Sequence, residues 1–544
     1  MSTATAGHHT ATLAASVPAP SIEYGALSPM LIVFGAAVFG VLAEAFVARR
    51  FRYATHLVLS LAGLAAALVA VVALAGTEST AIAGAVAIDG VTLFLQGTVL
   101  VVSILGVLFI AERGAEPREQ PRSGPGTWSL AAATLGRGVD AFTPQASAVP
   151  GSAAETAALR AGVATTEVFP LTLLAVGGLL LFPASNDLLT MFVALEVLSL
   201  PLYLLCGLAR RKRLLSQEAA LKYFLLGAFS SAFFLYGVAL LYGQAGTVRL
   251  GGIADAIARH PQDTTLALLG IAMLAVGLLF KIGAVPFQSW VPDVYQGAPT
   301  AITGFMAAAT KIAAVGALVR VLQVAVPGLR DDWRPILGAV AIATMAVGAV
   351  MAITQTDVKR MLAYSSVAHA GFLLTGPVAA DDRGVAAVLF YLAAYGIGTL
   401  GAFAVVSLVR EPGGDEATGL PRWAGLGRRS PWLATVFALF LLSFAGLPLT
   451  SGFVSKFAVF EAAASGGAIA LVIVGVICSA IAAFFYLRVI VLMFFTDPPA
   501  DAPVLVAPPL TTTIVAVTAA VTFVLGVFPQ PLLDLAGQAA TFVR

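Results

Sequence analysis

Long apolar stretches alternate with short polar ones along almost the whole chain. A hydrocarbon core about 30 Å thick is crossed by roughly 20 apolar residues in a helix. Stretches of that kind fall at 29–48, 54–76, 91–111, 164–184, 187–209, 217–243, 264–287, 298–324, 335–355, 358–378, 384–409, 431–460, 466–495 and 509–536. The pattern predicts an all-α integral membrane protein with about fourteen transmembrane helices. One connection stands apart. Residues 112–163 are rich in Gly, Pro, Ala and Ser with scattered Arg and no sustained apolar period, which predicts a flexible insertion. Residues 1–28 contain no Lys or Arg, so they read as a polar arm, carrying His8 and His9, and not as a cleavable signal.

Composition narrows the class. With 59% hydrophobic and 11% charged residues, the chain lies far from soluble domains, where about a quarter is charged. Two cysteines, Cys206 and Cys478, both in apolar runs, exclude a disulfide framework and read as small core hydrophobes. No Gly-rich phosphate loop, Cys cluster or haem motif is visible, so neither a nucleotide nor a redox cofactor is expected in this chain. The expected surroundings are the lipid bilayer and other membrane proteins, with no nucleic acid.

Charge placement gives an orientation. With an even helix count, alternate loops share a side. One set, including Arg49, the run Arg210–Arg213, Lys359, Arg360 and Arg410, holds 18 cations; the other, including Arg249, Arg320, Arg330 and Arg383, holds 7. The richer side is expected to face the cytoplasm, which leaves both termini outside, on the periplasmic side in a bacterium.

An internal repeat is legible. Asn186-Asp187 opens one span and Thr356-Asp357 opens another five spans later. Nine residues past each Asp stand Glu196 and Ser366, and twelve past stand Ser199 and His369. Two spans after each opener lies a stretch broken by Gly and Pro: Gly283 with Pro286, and Gly446 with Pro448. A repeat of five spans must insert its second copy upside down. Inverted repeats with matched broken helices point to an ion path near the midplane. The expected organisation is 29–111 as three leading helices, 164–325 and 335–496 as two inverted five-helix repeats, and 504–544 as a final helix.

The cations carry the chemistry. The chain has 24 Arg and only 6 Lys, yet Lys222, Lys281, Lys311 and Lys456 lie within predicted spans, where Arg488 is the one clear arginine. A guanidinium stays charged, whereas a buried ammonium can lose about 3–5 pKa units and become neutral near physiological pH. Lysine is therefore suited to loading and releasing a proton; the alternative is a structural ion pair or a snorkelling end residue. Glu196, about ten residues into its span, is costly at that depth and calls for a cationic partner, with a structural ion pair as the bland reading. Glu218 shares a helix face with Lys222. Pro286 should free the carbonyl of Ile282 beside Lys281, and Pro448 that of Phe444, with Lys456 eight residues, about 12 Å, beyond. His369, midway along a span, suits a relay between lysines or a neutral core position. Together these residues predict a proton path.

On these residues the chain resembles the antiporter-like subunits of respiratory complex I over nearly its whole length. The segments Phe280–Thr300 and Ala445–Lys456 are similar to that family's two broken-helix signatures. Lys311 in Ala309–Ala313, the phrase Tyr364–Gly371, Glu218–Phe224 and an ending after the fourteenth span resemble the N-type branch. The resemblance implies a central charged row. In it Glu196 pairs with Lys281 on the first broken helix, Lys222 bridges, Lys311 connects and Lys456 ends the row on the second. It also implies proton translocation coupled to NADH-to-quinone electron transfer in other subunits, where NADH, FMN, iron–sulfur clusters and quinone reside. The implied neighbours are M-type and small K-, J- and A-type membrane subunits, in a bacterial inner membrane. Gln288, where the family often has His, Leu449, where a second Pro is common, and the long insertion depart from its pattern. Rival readings are an Mrp-type cation/proton antiporter or membrane-hydrogenase subunit, and a non-pumping scaffold.

Overall fold

A computed structural model describes residues 22–113, 140–160 and 165–543. The arm carrying His8 and His9 lies outside them. Each of the fourteen predicted spans has its helix. In chain order these are α1 (Ser28–Phe46), α2 (Arg49–Ala73) and α3 (Gly90–Ile110), then the short α4 (Ala153–Arg160), α5 (Val168–Leu181), α6 (Leu188–Cys206), α7 (Arg213–Ala245) and a connecting α8 (Leu250–Arg259). The first broken span follows as α9 (Thr265–Ile282) and α10 (Trp290–Gly297), then α11 (Thr300–Arg320), α12 (Arg330–Ile353), α13 (Val358–Ala379) and α14 (Asp382–Leu408). After a turn, α15 (Leu426–Arg429), the second broken span is α16 (Pro431–Ala445) and α17 (Ser451–Ser465), before α18 (Ile469–Phe495), α19 (Pro509–Val527) and a closing α20 (Gln530–Ala539).

The helices form an inside-out protein. Every residue of α11 is buried, and α14 is nearly so. The peripheral helices expose large apolar side chains, among them Phe39, Val69, Phe229, Phe484 and Phe495. Lipid tails supply no hydrophobic drive between helices, so close backbone approach does more of the work. The repeat shows this directly. A Cβ on Gly178 of α5 would lie 2.4 Å from the Leu198 nitrogen of α6, and 170 residues later one on Gly348 of α12 would lie 2.4 Å from the Ala368 nitrogen of α13. The openers match equally well. Asp187 caps α6 by accepting from Leu189 and Thr190, and Asp357 caps α13 by accepting from Lys359 and Arg360. Leu188 N–H donates to Val248 and Leu250 to Asn186, while Val358 donates to Thr418 and Leu420 to Thr356, again offset by 170 residues.

The two loop sets separate. Loops of the cation-rich set meet one another: Arg210 N–H donates to Ala141, Thr511 N–H to Glu112, and Arg422 pairs with Asp501. Loops of the other set meet at the opposite helix ends, as when Arg330 donates to Ala380 and Arg334 to Gly466. The insertion, expected to be flexible throughout, has a docked end. Thr143 N–H donates to Leu208, and buried Arg213 donates to the carbonyls of Gln145, Ala146 and Ala148. A single arginine with several carbonyl acceptors fixes this stretch without any hydrophobic pattern to announce it.

Arg320 likewise departs from its expected place in a loop. It ends α11, fully buried, with Nη2 2.7 and 2.9 Å from the two oxygens of equally buried Asp89. Asp89 caps α3 through Thr92 N–H and accepts from Val543 N–H near the chain's end, so one ion pair ties three distant segments. Burial acts to raise the Asp89 carboxyl, while the Arg320 guanidinium together with the Thr92 and Val543 N–H donors holds the group below its usual range. Removing one member of a buried pair costs about 3–5 kcal/mol. Asp89→Asn should therefore lower the melting temperature in detergent and expose the chain around Val543 to protease. A depressed carboxyl contributes above its ordinary pKa of about 3.9, and that contribution is lost as pH falls through the lowered folded value. The variant's deficit is thus full at neutral pH and shrinks only in strong acid. A melting temperature equal to wild type at pH 7 would contradict this role.

Candidate functional site

Both spans that carry the sequence's Gly–Pro signature break in the same way. The helix stops at Ile282 and at Ala445, capped by Gly283 (φ +80°) and Gly446 (φ +84°) in the left-handed region. Gly283 and Ala284 N–H both donate to Leu279, and Gly446 and Leu447 N–H both donate to Leu442. This is the glycine cap that satisfies terminal carbonyls and ends a helix. Glycine, and not Pro286 or Pro448, therefore terminates each half, three and two residues before the proline. Leu449 sits at φ +67°, which a proline ring cannot adopt.

Lys281 lies two residues before the first cap and is 3% exposed. Its Nζ donates to the Tyr223 hydroxyl at 3.3 Å and lies 5.0 and 5.5 Å from the Tyr223 and Tyr203 ring centroids. Trp290, the first residue of α10, stacks on Tyr223 at 4.5 Å and donates its indole N–H to the Phe280 carbonyl. The expected Glu196–Lys281 pairing is not a contact: Glu196 acts on Lys281 through space, and its Oε1 has no hydrogen-bond partner. Glu196 instead lies half-buried on the side of α6 that exposes Leu189, Val193, Leu200 and Leu204.

Lys311, 3% exposed at the centre of α11, donates to the Ser366 carbonyl and, at 2.7 Å, to the Ser366 hydroxyl. The Tyr395 ring centroid is 5.3 Å from its Nζ. His369, one turn on from Ser366, shares a hydrogen bond of 2.7 Å with Tyr391, stacks on Tyr395 at 4.6 Å and lies 5.5 Å from the Phe444 ring. Lys456, 4% exposed, donates to the carbonyls of Phe444 and Ala445 at 2.8 and 3.0 Å and to the Ser479 hydroxyl at 2.8 Å. It is therefore not 12 Å beyond the break, because α17 folds back and brings it against the open carbonyls of α16.

Three of the sequence-predicted lysines thus share the interior with His369, each held by neutral oxygens and rings. Lys222 does not join them. Half-exposed, it pairs with Glu218 at 2.6 Å and with Asp293 of α10 at 2.8 Å, and Asp293 also pairs with Arg360 at 2.8 Å. Among the described residues the other lysine paired to a carboxylate is Lys359, assigned to a loop by sequence but buried. It meets Glu416 at 3.4 Å and donates to Thr300 and Ala298. Burial acts to raise the Glu416 carboxyl, while Lys359 and then Arg410 hold it below the usual range. These groups line a cavity of about 90 Å³ together with Glu112, Asp140 and Arg210. Burial pushes the Asp140 carboxyl up. Among the described residues no three His, Cys, Asp or Glu side chains gather into a metal-holding cluster.

The sequence reading missed Tyr223, Tyr391, Tyr395 and Ser479. Ser366 is visible in the sequence as the repeat partner of Glu196, a signal of position but not of role.

Gly446 tests the geometry at Lys456. A Cβ there would meet Lys456 Cδ at 2.9 Å, whereas Gly467, also left-handed at φ +81°, has open space. Both Ala variants bear the conformational cost of about 1 kcal/mol, but only Gly446→Ala adds overpacking, typically about 1–3 kcal/mol. Gly446→Ala should lower the melting temperature more than Gly467→Ala, with Lys456 displaced in a cryo-electron microscopy map. Equal effects would mean that Lys456 is not seated on the break.

Comparison with known proteins supplies the lineage. Residues 185–482 match the family model described as NADH:quinone oxidoreductase/Mrp antiporter, transmembrane. NADH-quinone oxidoreductase subunit N of Rhodococcus opacus is 70% identical over 531 residues, covering 97% of this chain and 98% of the relative. Subunit N of Mycobacterium tuberculosis is 63% identical over 536 residues, covering 97% of this chain and all of the relative. A chain of respiratory complex I from Thermus thermophilus, solved with bound aureothin, superimposes with a TM-score of 0.73 at 32% identity, over 94% of this chain and 99% of that one. A chain of the Mrp complex from Dietzia shares the fold, with a TM-score of 0.75 at 22% identity over 95% and 97% of the two chains. The chain belongs to the antiporter-like membrane family of NADH:quinone oxidoreductases and Mrp antiporters, within its branch of complex I N subunits.

Proposed function

We propose that this chain translocates protons across the membrane through Lys281, Lys311, His369 and Lys456, driven by NADH-to-quinone electron transfer in other subunits of the complex. One observation carries the proposal: Lys281, Lys311 and Lys456 are buried with hydroxyl, carbonyl and ring partners in place of carboxylates. A lysine locked to a carboxylate is held charged. One held by neutral oxygens can exist as ammonium or amine, because hydroxyl partners can donate as well as accept. The second glycine-capped break supplies the carbonyls at Lys456, and the inverted repeat gives the row two related halves opening toward opposite sides.

Glu196 has the role of a remote bias. From beyond ion-pair distance it favours the charged form of Lys281 without fixing it, so a modest shift in its surroundings changes the lysine's proton affinity; each pKa unit is about 1.4 kcal/mol. Lys222, shared between Glu218 and Asp293, anchors α10 and tunes the row from its edge. NADH, FMN, iron–sulfur clusters and quinone belong to neighbouring subunits, and this chain binds none of them for chemistry. Its partners are M-type and small K-, J- and A-type membrane subunits, in a bacterial inner membrane with both termini outside. The fold is shared with Mrp-type cation/proton antiporters. Co-purification in mild detergent with subunits that oxidise NADH separates the two readings.

Glu196→Gln keeps volume and hydrogen bonding and removes the charge. NADH-driven proton pumping into vesicles should fall well below wild type while the complex still assembles. Pumping at the wild-type rate would reduce Glu196 to a structural acid.

A further inference from the structure

The docked end of the insertion and the α6–α7 loop together wall the charged cavity. The two strips pair along a short antiparallel seam with Phe142 opposite Ala209, where Thr143 N–H donates to Leu208 and Arg210 N–H to Ala141. Asp140 and Ala141 line the cavity from one strip, and Arg210, Arg211 and Lys212 from the other. Across from them stand buried Lys359 and Arg410 of the second repeat. Ala141, Arg211 and Lys212 are exposed, so the seam is the cavity's rim.

Polar contacts hold this seam. Buried Arg213 latches it, donating to the Thr143 hydroxyl and, at 3.0–3.2 Å, to the carbonyls of Gln145, Ala146 and Ala148. The insertion strip is hinged at its other end. There Asp140 accepts from Phe142 and Thr165 N–H, and the Thr165 hydroxyl donates to the Thr143 carbonyl. Arg211 ties the loop to the second repeat, donating to the Gly413 carbonyl at 2.8 Å. Between these two arginines Lys212 stands at φ +52°, a left-handed conformation that a residue with a Cβ adopts at a cost. The loop is held in this strained turn from both sides, and it can relax if either hold is lost.

We propose that residues 140–149 and the α6–α7 loop form a lid on the cavity, latched by Arg213 and hinged at Asp140. Closed, the lid separates the Lys359–Glu416 pair from the aqueous phase at the cation-rich end of the bundle. Open, it admits water and small ions to the junction between the two repeats. Its attachment suits a moving part. Within 141–149 only Phe142, Thr143 and Ala148 are buried, and segments with few buried apolar contacts open at less than the global cost of unfolding. The latch is one side chain, so its withdrawal frees four acceptors together. The lid is independent of whether the interior lysines carry protons.

Ala301, 5% exposed and inside the cavity, is the position for a reporter. Complexes carrying Ala301→Cys, in open membrane fragments, are treated with a small anionic methanethiosulfonate in the parental, Arg213→Gln and Arg213→Lys backgrounds. Native Cys206 and Cys478 are buried, and their reaction is subtracted using complexes without the reporter. The reporter should react roughly tenfold faster with Arg213→Gln than in the parent. Arg213→Lys, whose ammonium has three donors for four acceptors, should fall between them. A control reporter, Ala325→Cys, fully buried just past the far end of α11, should stay unreactive throughout. Equal rates at Ala301→Cys with and without Arg213→Gln overturn the lid. A rise matched at Ala325→Cys also overturns it, because the whole bundle has then loosened. Should Arg213→Gln fail to assemble, Arg213→Lys decides alone, and a parental rate there overturns the lid.

Discussion

Three primary ammonium groups lie in the interior of a membrane-embedded bundle, and none has a carboxylate against it. That constraint organises the rest of the structure. A cation in hydrocarbon is costly, and at membrane depth backbone carbonyls are normally consumed by their own helix. The glycine cap at Gly446 ends α16 where α17 doubles back, so that Lys456 reaches the carbonyls of Phe444 and Ala445, while Lys281, beside the cap at Gly283, rests on the Tyr223 hydroxyl. Tyr203, Tyr223, Tyr395 and Phe372 offer ring faces to the same ammonium groups, at centroid distances of 4.6–5.5 Å. Aromatic faces attract cations without titrating. Full ion pairs are kept at the two ends of the bundle, at Asp89–Arg320 and around Asp293 and Glu416.

Much of the architecture is legible in the sequence because membrane helices write themselves in one dimension. Spans, the openers Asp187 and Asp357 and the two breaks are local features, and the 170-residue offset reappears in close glycine contacts and backbone hydrogen bonds. Contacts between distant segments are not legible in the same way. Pairing Glu196 with Lys281 follows from the cost of a lone carboxylate, yet the two make no ion pair, and the buried Oε1 of this half-buried residue has no partner. Arg320 looks like a loop cation because its partner, Asp89, is 231 residues away. Proline carries the stronger sequence signal at the helix breaks, although left-handed glycine ends both helices.

The Lys-over-Arg bias has a structural counterpart. Arginine occupies sites with several fixed acceptors, such as Arg213 with its row of carbonyls and Arg320 with Asp89, Thr92 and Pro183. Lys281, Lys311 and Lys456 occupy interior sites with few, neutral acceptors. Five donors in a planar fork demand many partners, and three donors on a flexible stem can be satisfied by two oxygens and a ring.

The central claim is that the interior lysines must change charge, and Lys281 tests it most directly. Proton pumping driven by NADH, measured per assembled complex, should be nearly as low in Lys281→Arg as in Lys281→Met. A guanidinium with a pKa above about 12 preserves the positive charge and cannot release its proton near neutral pH. Normal pumping by the arginine variant beside a failed methionine variant would show that Lys281 is a fixed charge and would contradict a mechanism in which it loads and releases a proton.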